Sequence, residues 1–341
     1  MKKLLSREDF KNAVLKRDGY KCVVCKNGIV PLEAHHIIER KLWTAAEEEG
    51  GYFLSNGATV CNNCHQYAER NLIPPQAFWR LLGQSLSEAI VPRQLNHIKH
   101  IDKWGKILVT PPSDRTFIKY PSTKYFASSP SAEDILTEGE LSHLISAPIV
   151  VTTKMDGSNV QLTSEYVASR AGWDGSAIHP SFNMLKAKFH AEYKYLIPKH
   201  IQLFGEWLFA KHSIHYVGDL GLKSYLQLFS AYDTRYALFL GWEEVMEYAS
   251  LLGVPTVPHV VSYELAPNSS LRYKYENIIG SQAEYQISEG HEGVVVRSML
   301  PFHYGQFSSS VAKYVRANHV QTDVHWTHQE IIRNEANNNK T

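Results

Sequence analysis

Cysteine is scarce in this chain of 341 residues: there are four, and all lie at or before position 64. A disulfide framework spread through the molecule is therefore excluded. Long apolar runs are also missing. Met1-Lys2-Lys3-Leu4-Leu5 begins like a signal peptide, but Ser6-Arg7-Glu8-Asp9 interrupts it before an apolar core can form. No stretch approaches the ~20 apolar residues that span a bilayer. The expectation is a soluble, cytoplasmic protein with no membrane partner. An excess of one charge is absent too, with 35 Lys plus Arg against 34 Asp plus Glu. That balance argues against a protein that coats a polyanion through bulk charge, so any such partner must be held by local clusters. The pattern GxxxxGK[ST] does not occur, which excludes a P-loop nucleotide site; Gly221-Leu222-Lys223-Ser224 is only a fragment of one.

What is present is an ordinary globular composition, 44% hydrophobic and 20% charged, at a length that suits two domains. Residues 1–82 read as one unit. Ser6-Arg7-Glu8-Asp9 resembles a capping box, Phe10, Val14 and Leu15 follow at helical spacing, and Arg17-Asp18-Gly19-Tyr20 closes the helix in a turn. Residues 83–114 read as a connector, helical at first and ending in Pro111-Pro112. Residues 115–325 alternate β-rich runs such as Ala147–Thr153, Leu203–Gly205 and Gly293–Val296 with helical stretches such as Glu243–Leu252. Residues 326–341 read as a polar tail, frayed from Asn334 onward. The fold class expected is α+β.

The cysteines form two CxxC pairs, Cys22/Cys25 and Cys61/Cys64. A closed four-thiolate Zn²⁺ site is the natural reading of that spacing. Between the pairs lie Glu33-Ala34-His35-His36-Ile37-Ile38 and Gly50-Gly51-Tyr52-Phe53-Leu54-Ser55-Asn56, and the second pair continues into His65 and Glu69. This joint pattern resembles the HNH endonuclease family in its four-cysteine form. The resemblance implies a zinc-stapled ββα hairpin-helix that carries a second, catalytic metal. His35 and His65 would be ligands of that metal, His36 the general base that deprotonates water, and Asn56 the residue that orients the loop of His36. Many family members carry a further histidine where this chain has Glu69; a carboxylate there still suits Mg²⁺ or Mn²⁺. Two readings stay open, an active metal nuclease and a zinc-stapled nucleic-acid-binding module that does not cut.

The second constellation begins with Lys154-Met155-Asp156-Gly157-Ser158-Asn159 after an apolar run. Ser169-Arg170, Phe204-Gly205-Glu206-Trp207, Lys211-His212-Ser213-Ile214, Phe229-Ser230-Ala231-Tyr232-Asp233, Glu292-Gly293-Val294-Val295-Val296-Arg297 and Val311-Ala312-Lys313-Tyr314-Val315-Arg316 follow in order. Lys119-Tyr120-Pro121-Ser122 is similar to the strand that opens the same core. This series resembles the covalent nucleotidyltransferases, and within them the ATP-dependent RNA ligases of the nick-sealing type. The resemblance implies an antiparallel-sheet, ATP-grasp-like nucleotidyltransferase domain behind the zinc module. Lys154 would take the adenylyl group from ATP. Asp156, Gly157 and Asn159 would shape the nucleotide site, Arg170 would contact the nucleotide and its phosphate, Glu206 would hold the ribose and Phe229 would stack on adenine. Glu292 would position Mg²⁺, and Lys313 would neutralise the α-phosphate. Relatives often have a second lysine beside the one matching Lys313; here Arg316 is the substitute.

A lysine amine with an ordinary pKa of ~10.4 is a poor nucleophile, so a lowered pKa is expected at Lys154. The partners implied are RNA and/or DNA, as a nicked duplex or hybrid, in nucleic-acid repair. An alternative is primarily a metal-dependent endonuclease whose ligase core reseals its cuts. Only 28 residues follow Lys313, too few for an OB fold, so substrate grip is expected from the zinc module and the connector. The connector mixes Arg93, Lys99, Lys103 and Lys106 with Trp104.

Overall fold

The computed structural model describes residues 3–111, 118–130, 133–169, 179–263, 272–317 and 330–336. In chain order the helices and strands are α1 (Arg7–Arg17), β1 (Leu32–His36), β2 (Gly57–Cys61), α2 (Asn62–Glu69), α3 (Pro75–Leu81), β3 (Lys124–Tyr125), α4 (Glu138–Ser146), β4 (Ile149–Thr153), β5 (Ser158–Leu162), β6 (Val167–Ser169), α5 (Asn183–Ala191), β7 (Ile201–Trp207), β8 (Leu226–Asp233), β9 (Leu238–Phe239), α6 (Trp242–Leu251), β10 (His259–Tyr263), α7 (Arg272–Ser288), β11 (Gly293–Ser298), β12 (Phe302–His303) and β13 (Val311–Val315). Two compact units result. The first comprises Met1–Ser113 with Arg235–Leu238 and Pro301–Gln306, and the second comprises the remainder.

In the first unit Ser6 caps α1: its Oγ accepts from the amide of Asp9 at 3.1 Å and donates to the Asp9 carboxylate at 2.8 Å. Phe10 and Val14, one helical turn apart, are buried. β1 and β2 pair antiparallel, with Leu32 opposite Cys61 and His36 opposite Gly57. A Cβ on Gly57 would lie 2.3 Å from Val14 Cγ2, so only glycine lets α1 pack against this hairpin. α2 follows β2 directly and completes the ββα unit. Residues 83–100 are not helical as the sequence suggested; they run as turns with one short 3₁₀ segment, Arg93–Leu95. Gly83 has φ +67° and Pro92 has no amide proton, and both break helical continuity. Gln76 fixes the later part of this stretch by donating to the carbonyls of Lys99 at 2.7 Å and Ile101 at 2.9 Å.

The second unit holds two sheets. One has the order β10-β4-β11-β13-β3, antiparallel except for the parallel pair β13-β3. The other contains the antiparallel run β8-β7-β5-β6. Strand periodicity sorts the first sheet's residues onto two faces. Ile149, Val151, Val294, Val296, Ala312 and Tyr314 are buried on one face with Leu141 and Leu144 of α4 and Ile279 and Ala283 of α7. Burial of each large aliphatic side chain in this layer contributes about 1.5–3 kcal/mol. Thr152, Val295 and Lys313 lie in one cross-strand row on the other face. The opening strand of this core is Lys124–Tyr125, a few residues later than Lys119–Ser122. Residues 330–336 correct a second expectation. They are bound to the second unit through bridges between Ala210 and Arg333 and between Leu222 and Ala336, and Asn334 is 2% exposed. The backbone polar groups of 208–222 find their partners here, which is why this polar segment is ordered.

Candidate functional site

β4 ends at Thr153, opposite Val294 one residue after β11 begins at Gly293, and this register brings Lys154 to Glu292. The Lys154 amide donates to the Gly293 carbonyl at 2.9 Å, and its Nζ donates to Glu292 Oε2. A Cβ on Gly293, where φ is +142°, would lie 2.0 Å from the Tyr314 carbonyl oxygen, so the strand start can be built only with glycine. Glu206, near the end of β7, approaches the loop after Lys154: the Gly157 amide donates to its Oε1 at 3.1 Å. The need for glycine at position 157 comes from this close approach and not from a turn, since a Cβ there would lie 2.7 Å from Leu208 and 2.8 Å from the Trp207 carbonyl. Asn159 lies opposite Glu206 in the β5–β7 pairing. Asp156 Oδ2 accepts the amides of Ser213 at 2.7 Å and Ile214 at 2.6 Å, and the Asp156 amide donates to the Tyr216 hydroxyl at 2.8 Å. The Asp156 carboxylate thus holds the Lys211–Ile214 stretch against the lysine loop.

The electrostatics differ from the sequence expectation at Lys154. Burial disfavours its charged form, but the carboxylates of Glu292, Glu206 and Asp156 outweigh burial, and its pKa is raised. The protein's own groups therefore keep this lysine protonated. Glu206 is pushed up to about 8, first by burial and then by the neighbouring Glu292 and Asp156 carboxylates, against the pull of Lys154. Tyr125 sits within the electrostatic reach of Lys154 and Glu292, and Lys313 Nζ lies 4.0 Å from the Tyr125 ring centroid. The Arg316 amide donates to the Glu292 carbonyl at 3.0 Å. Arg170 lies outside the described residues.

Phe229 owes its direction to a bulge. The β7–β8 register shifts between Phe204 and Gly205, which pair with Ser230 and Leu228, and Phe229 is the residue left without a partner on β7. Its ring meets Tyr120 edge-on at 5.1 Å, and Tyr120 also contacts Phe204 and Phe307. Arg297 Nη1 donates to the Phe229 carbonyl at 2.7 Å and Nη2 to the Leu240 carbonyl at 2.8 Å. Arg297, Tyr216 and Asn334 were not picked out as site residues from sequence. Arg297 closes a quoted motif and was available to that reading, whereas the other two show themselves only through hydrogen bonds between distant segments.

In the first unit Cys22, Cys25, Cys61 and Cys64 converge, with their sulfur atoms within 4.8 Å of one another. Cys25 and Cys61 are 3.7 Å apart. A tetrahedron with Zn–S bonds of ~2.3 Å has an edge of about 3.8 Å, so the four thiols fit Zn²⁺. The Cys22 thiol is drawn down to about 4, first by its hydrogen bond with Cys64, whose own pKa is pushed up by the same contact. His35, His65 and Glu69 form a second cluster of the same compactness. Glu69 Oε1 lies 3.3 Å from His35 Nδ1 and 3.3 Å from His65 Nε2. Glu33 contacts His65 Nδ1 at 2.5 Å, which directs Nε2 into the cluster. His35 Nδ1 is buried without a well-formed hydrogen bond. A buried imidazole nitrogen aimed at a second imidazole and a carboxylate fits a divalent cation.

His36 stacks on Phe10 at 4.5 Å and meets Tyr52 edge-on at 5.1 Å. Burial, followed by the charge of Arg40, lowers it to about 3, so it is a neutral imidazole at ordinary pH. Asn56 holds the adjoining backbone: its Oδ1 accepts from the Ile38 amide at 3.0 Å, and its Nδ2 donates to the Gly51 carbonyl at 3.0 Å. His35, His36, Tyr52, His65 and Glu69 line a cleft of about 450 Å³ whose rim includes Arg7, Lys11 and Arg40. Lys103 enters the same cleft, and its Nζ is 2.5 Å from Glu69 Oε1. Of the connector residues expected to contact nucleic acid, Arg93, Trp104 and Lys106 are exposed and Lys103 is turned inward. Arg93 pairs with Glu47, Lys99 donates to the Ala89 carbonyl, and Lys103 is 3% exposed.

Residues 147–315 match the RNA ligase family, and residues 22–70 match the HNH endonuclease family. No curated protein matches the chain. Among solved structures, the chain is similar to an archaeal ATP-dependent RNA ligase at 17% identity, covering 60% of this chain and 50% of that one, with a TM-score of 0.40. It is also similar to a Naegleria gruberi RNA ligase variant with ATP and Mn at 16% identity, covering 63% of each chain, with a TM-score of 0.41. The chain spans about half the length of the archaeal ligase. No helix among the described residues is long and apolar enough to cross a membrane. The chain carries an RNA ligase domain at residues 147–315 and an HNH domain at residues 22–70.

Proposed function

We propose that this protein is an ATP-dependent polynucleotide ligase that joins a 3′-hydroxyl to a 5′-phosphate, at nicks in an RNA duplex or RNA–DNA hybrid. The observation that carries the reading is Lys154 at a strand end, in contact with Glu292 and within the field of Glu206 and Asp156. Lys154 Nζ, once deprotonated, attacks the α-phosphorus of ATP. A phosphorus–nitrogen bond forms, the α,β-phosphoanhydride breaks, and pyrophosphate leaves with the electron pair. A 5′-phosphate oxygen then displaces the lysine, and a 3′-hydroxyl displaces AMP. Each step is an in-line displacement, so the protein contributes positioning and charge neutralisation.

Glu206 in its neutral form can both donate to and accept from the ribose hydroxyls. Phe229, directed by the bulge and held by Arg297, offers its ring to adenine. Lys313, Arg316 and Arg170 balance the phosphate charge, and Asp156, Gly157 and Asn159 shape the loop around the nucleotide. Glu292 is the residue to hold Mg²⁺ or Mn²⁺, an ion that neutralises the triphosphate when bound and weakens the carboxylate's grip on Lys154.

For the HNH domain, the His35/His65/Glu69 cluster beside the neutral His36 favours nucleic-acid binding with metal-dependent nicking. Arg7, Lys11 and Arg40 at the rim supply cations for a phosphate backbone. Residues 83–114 act in this scheme as the link between the two activities.

Incubation with ATP and Mg²⁺ followed by intact mass tests the ligase reading. A gain of one adenylyl group that disappears in Lys154→Ala is expected, and no gain with any nucleotide overturns it. Cleavage assays of His36→Ala across Mg²⁺, Mn²⁺ and Ni²⁺ test the nuclease reading, which fails if background cutting is unchanged.

A further inference from the structure

The match to the RNA ligase family ends at residue 315, yet residues 330–336 are built into the site. Asn334 is the centre of this strap. Its Oδ1 accepts from the Tyr216 amide at 3.0 Å, and its Nδ2 donates to the carbonyls of Leu208 at 2.8 Å and Ala210 at 3.2 Å. Its own amide donates to the Phe209 carbonyl at 3.0 Å, and its carbonyl accepts from the Tyr225 hydroxyl at 2.9 Å. Every polar group of Asn334 is thereby satisfied, at 2% exposure. Its neighbours extend the clasp: Lys211 donates to the Ile332 carbonyl at 2.8 Å, and Glu335 donates to the Tyr216 carbonyl at 2.8 Å.

Tyr216 therefore has its amide and its carbonyl on the strap. Its ring is fully buried, and its hydroxyl accepts from the Asp156 amide at 2.8 Å, two residues beyond Lys154. We infer that Asn334 is a positioning residue for the nucleotidyl-transfer loop, acting through Tyr216, and that the strap beyond the family core completes the ligase site. The inference rests on the ligase reading for its consequence in catalysis, but its structural link stands on these contacts alone. A buried asparagine that satisfies backbone groups on both sides of a turn is costly to replace, because truncation leaves several buried donors and acceptors without partners. Tyr216 passes that constraint on through one hydroxyl. Loss of the hydroxyl leaves the ring in place and frees the Asp156 amide, which loosens the loop at the point where Lys154 must be aligned for in-line attack.

The test uses the full chain as Asn334→Ala, Tyr216→Phe and the double variant. Hydrogen exchange of the peptide spanning Lys154–Ser158 is read first, without nucleotide. The rate of self-adenylylation against ATP concentration is read second, with thermal melting as a control. Exchange of that peptide is expected to speed up about tenfold in each single variant, the scale of one lost hydrogen bond. The maximal adenylylation rate should fall about tenfold, with half-saturating ATP changed much less. Adding Asn334→Ala to Tyr216→Phe should cost less than it does alone, since both act through one link. Unchanged exchange and rate in Tyr216→Phe overturns the inference whether or not Asn334→Ala folds. Independent, multiplying effects of the two variants overturn it as well, because Asn334 would then be a staple of the fold only. If the unaltered protein takes no adenylyl group, the ligase reading fails, and the exchange data still decide the link from Asn334 to Asp156.

Discussion

Lys154 and Glu292 face each other as the residue after one strand and the residue before its antiparallel neighbour, with the ammonium resting on the carboxylate. Glu292 and the other nearby acids raise the pKa of the lysine that must act as a free amine. The rate of adenylylation should therefore climb with pH, and its midpoint should move to lower pH as Mg²⁺ is increased. In Glu292→Gln the maximal rate should fall by about two orders of magnitude, and the midpoint should no longer respond to Mg²⁺. Rapid-quench adenylylation across pH at several Mg²⁺ concentrations checks this. A midpoint in the unaltered protein that ignores Mg²⁺ would show that Glu292 does not control the lysine's proton.

Glu206 gives a separate signature in stability. Its pKa in the folded protein is pushed up to about 8, whereas an unfolded glutamate titrates near ~4.3. The folded state thus binds the proton more tightly. The associated stability is fully present below the unfolded pKa and is lost as pH rises toward 8. Without nucleotide, the melting temperature should decline from pH 5 to pH 8, and Glu206→Gln should flatten that decline. Parallel pH profiles for the two proteins would refute the assignment.

The zinc site makes a third prediction. Four thiols cannot remain packed this closely as mutually repelling thiolates without a cation, and in a small fold the metal supplies folding energy. Chelation should release one Zn²⁺ per chain and remove the cooperative melting of the first unit. Cys61→Ser should do the same without chelator. Metal analysis and calorimetry read both, and full retention of the transition after complete chelation would refute the structural role of the ion.

The grouping of candidate side chains was legible in the sequence wherever one short segment held both the residue and its spacing. Cys22 to Cys64, His35, His36, His65 and Lys154-Met155-Asp156-Gly157 are of this kind, and so are strands such as β4 and β11, whose apolar runs mark burial. The Ser6 N-cap of α1 was equally readable. Asn334 was not, because its importance lies in carbonyls more than 100 residues away that only the fold brings to it. Lys103 is a related case: it looks as available as Arg93 or Lys106 in one dimension, but the fold buries it against Glu69 while the other two stay exposed. The raised pKa of Lys154 depends on three carboxylates contributed by separate segments, and a local motif carries no sum of fields. Phe229 lay between these cases: the motif named it, and the bulge that directs it appears only in the strand register.

Lys103 should restrain metal binding in the HNH domain. Its ammonium is 2.5 Å from the same Glu69 oxygen that faces His35 and His65, and its side chain is 3% exposed. The carboxylate is thereby held well below the usual range, first by its close approach to His35 and then by Lys103, so it is ionised and already neutralised. A divalent cation entering between the imidazoles must share that oxygen with a positive charge. Unit charges ~4 Å apart at an effective dielectric of ~20 interact by about 4 kcal/mol, and the repulsion is larger for a dication. Lys103→Met keeps the length and apolar stem of the side chain while removing the charge. It should strengthen Mn²⁺ binding at this cluster at least about tenfold, a conservative fraction of that repulsion. Titration calorimetry with the zinc-loaded protein measures the affinity, and His65→Ala in the same background should abolish the gain. Weaker Mn²⁺ binding in Lys103→Met would mean that the lysine supports the site by fixing Glu69 and does not compete with the ion.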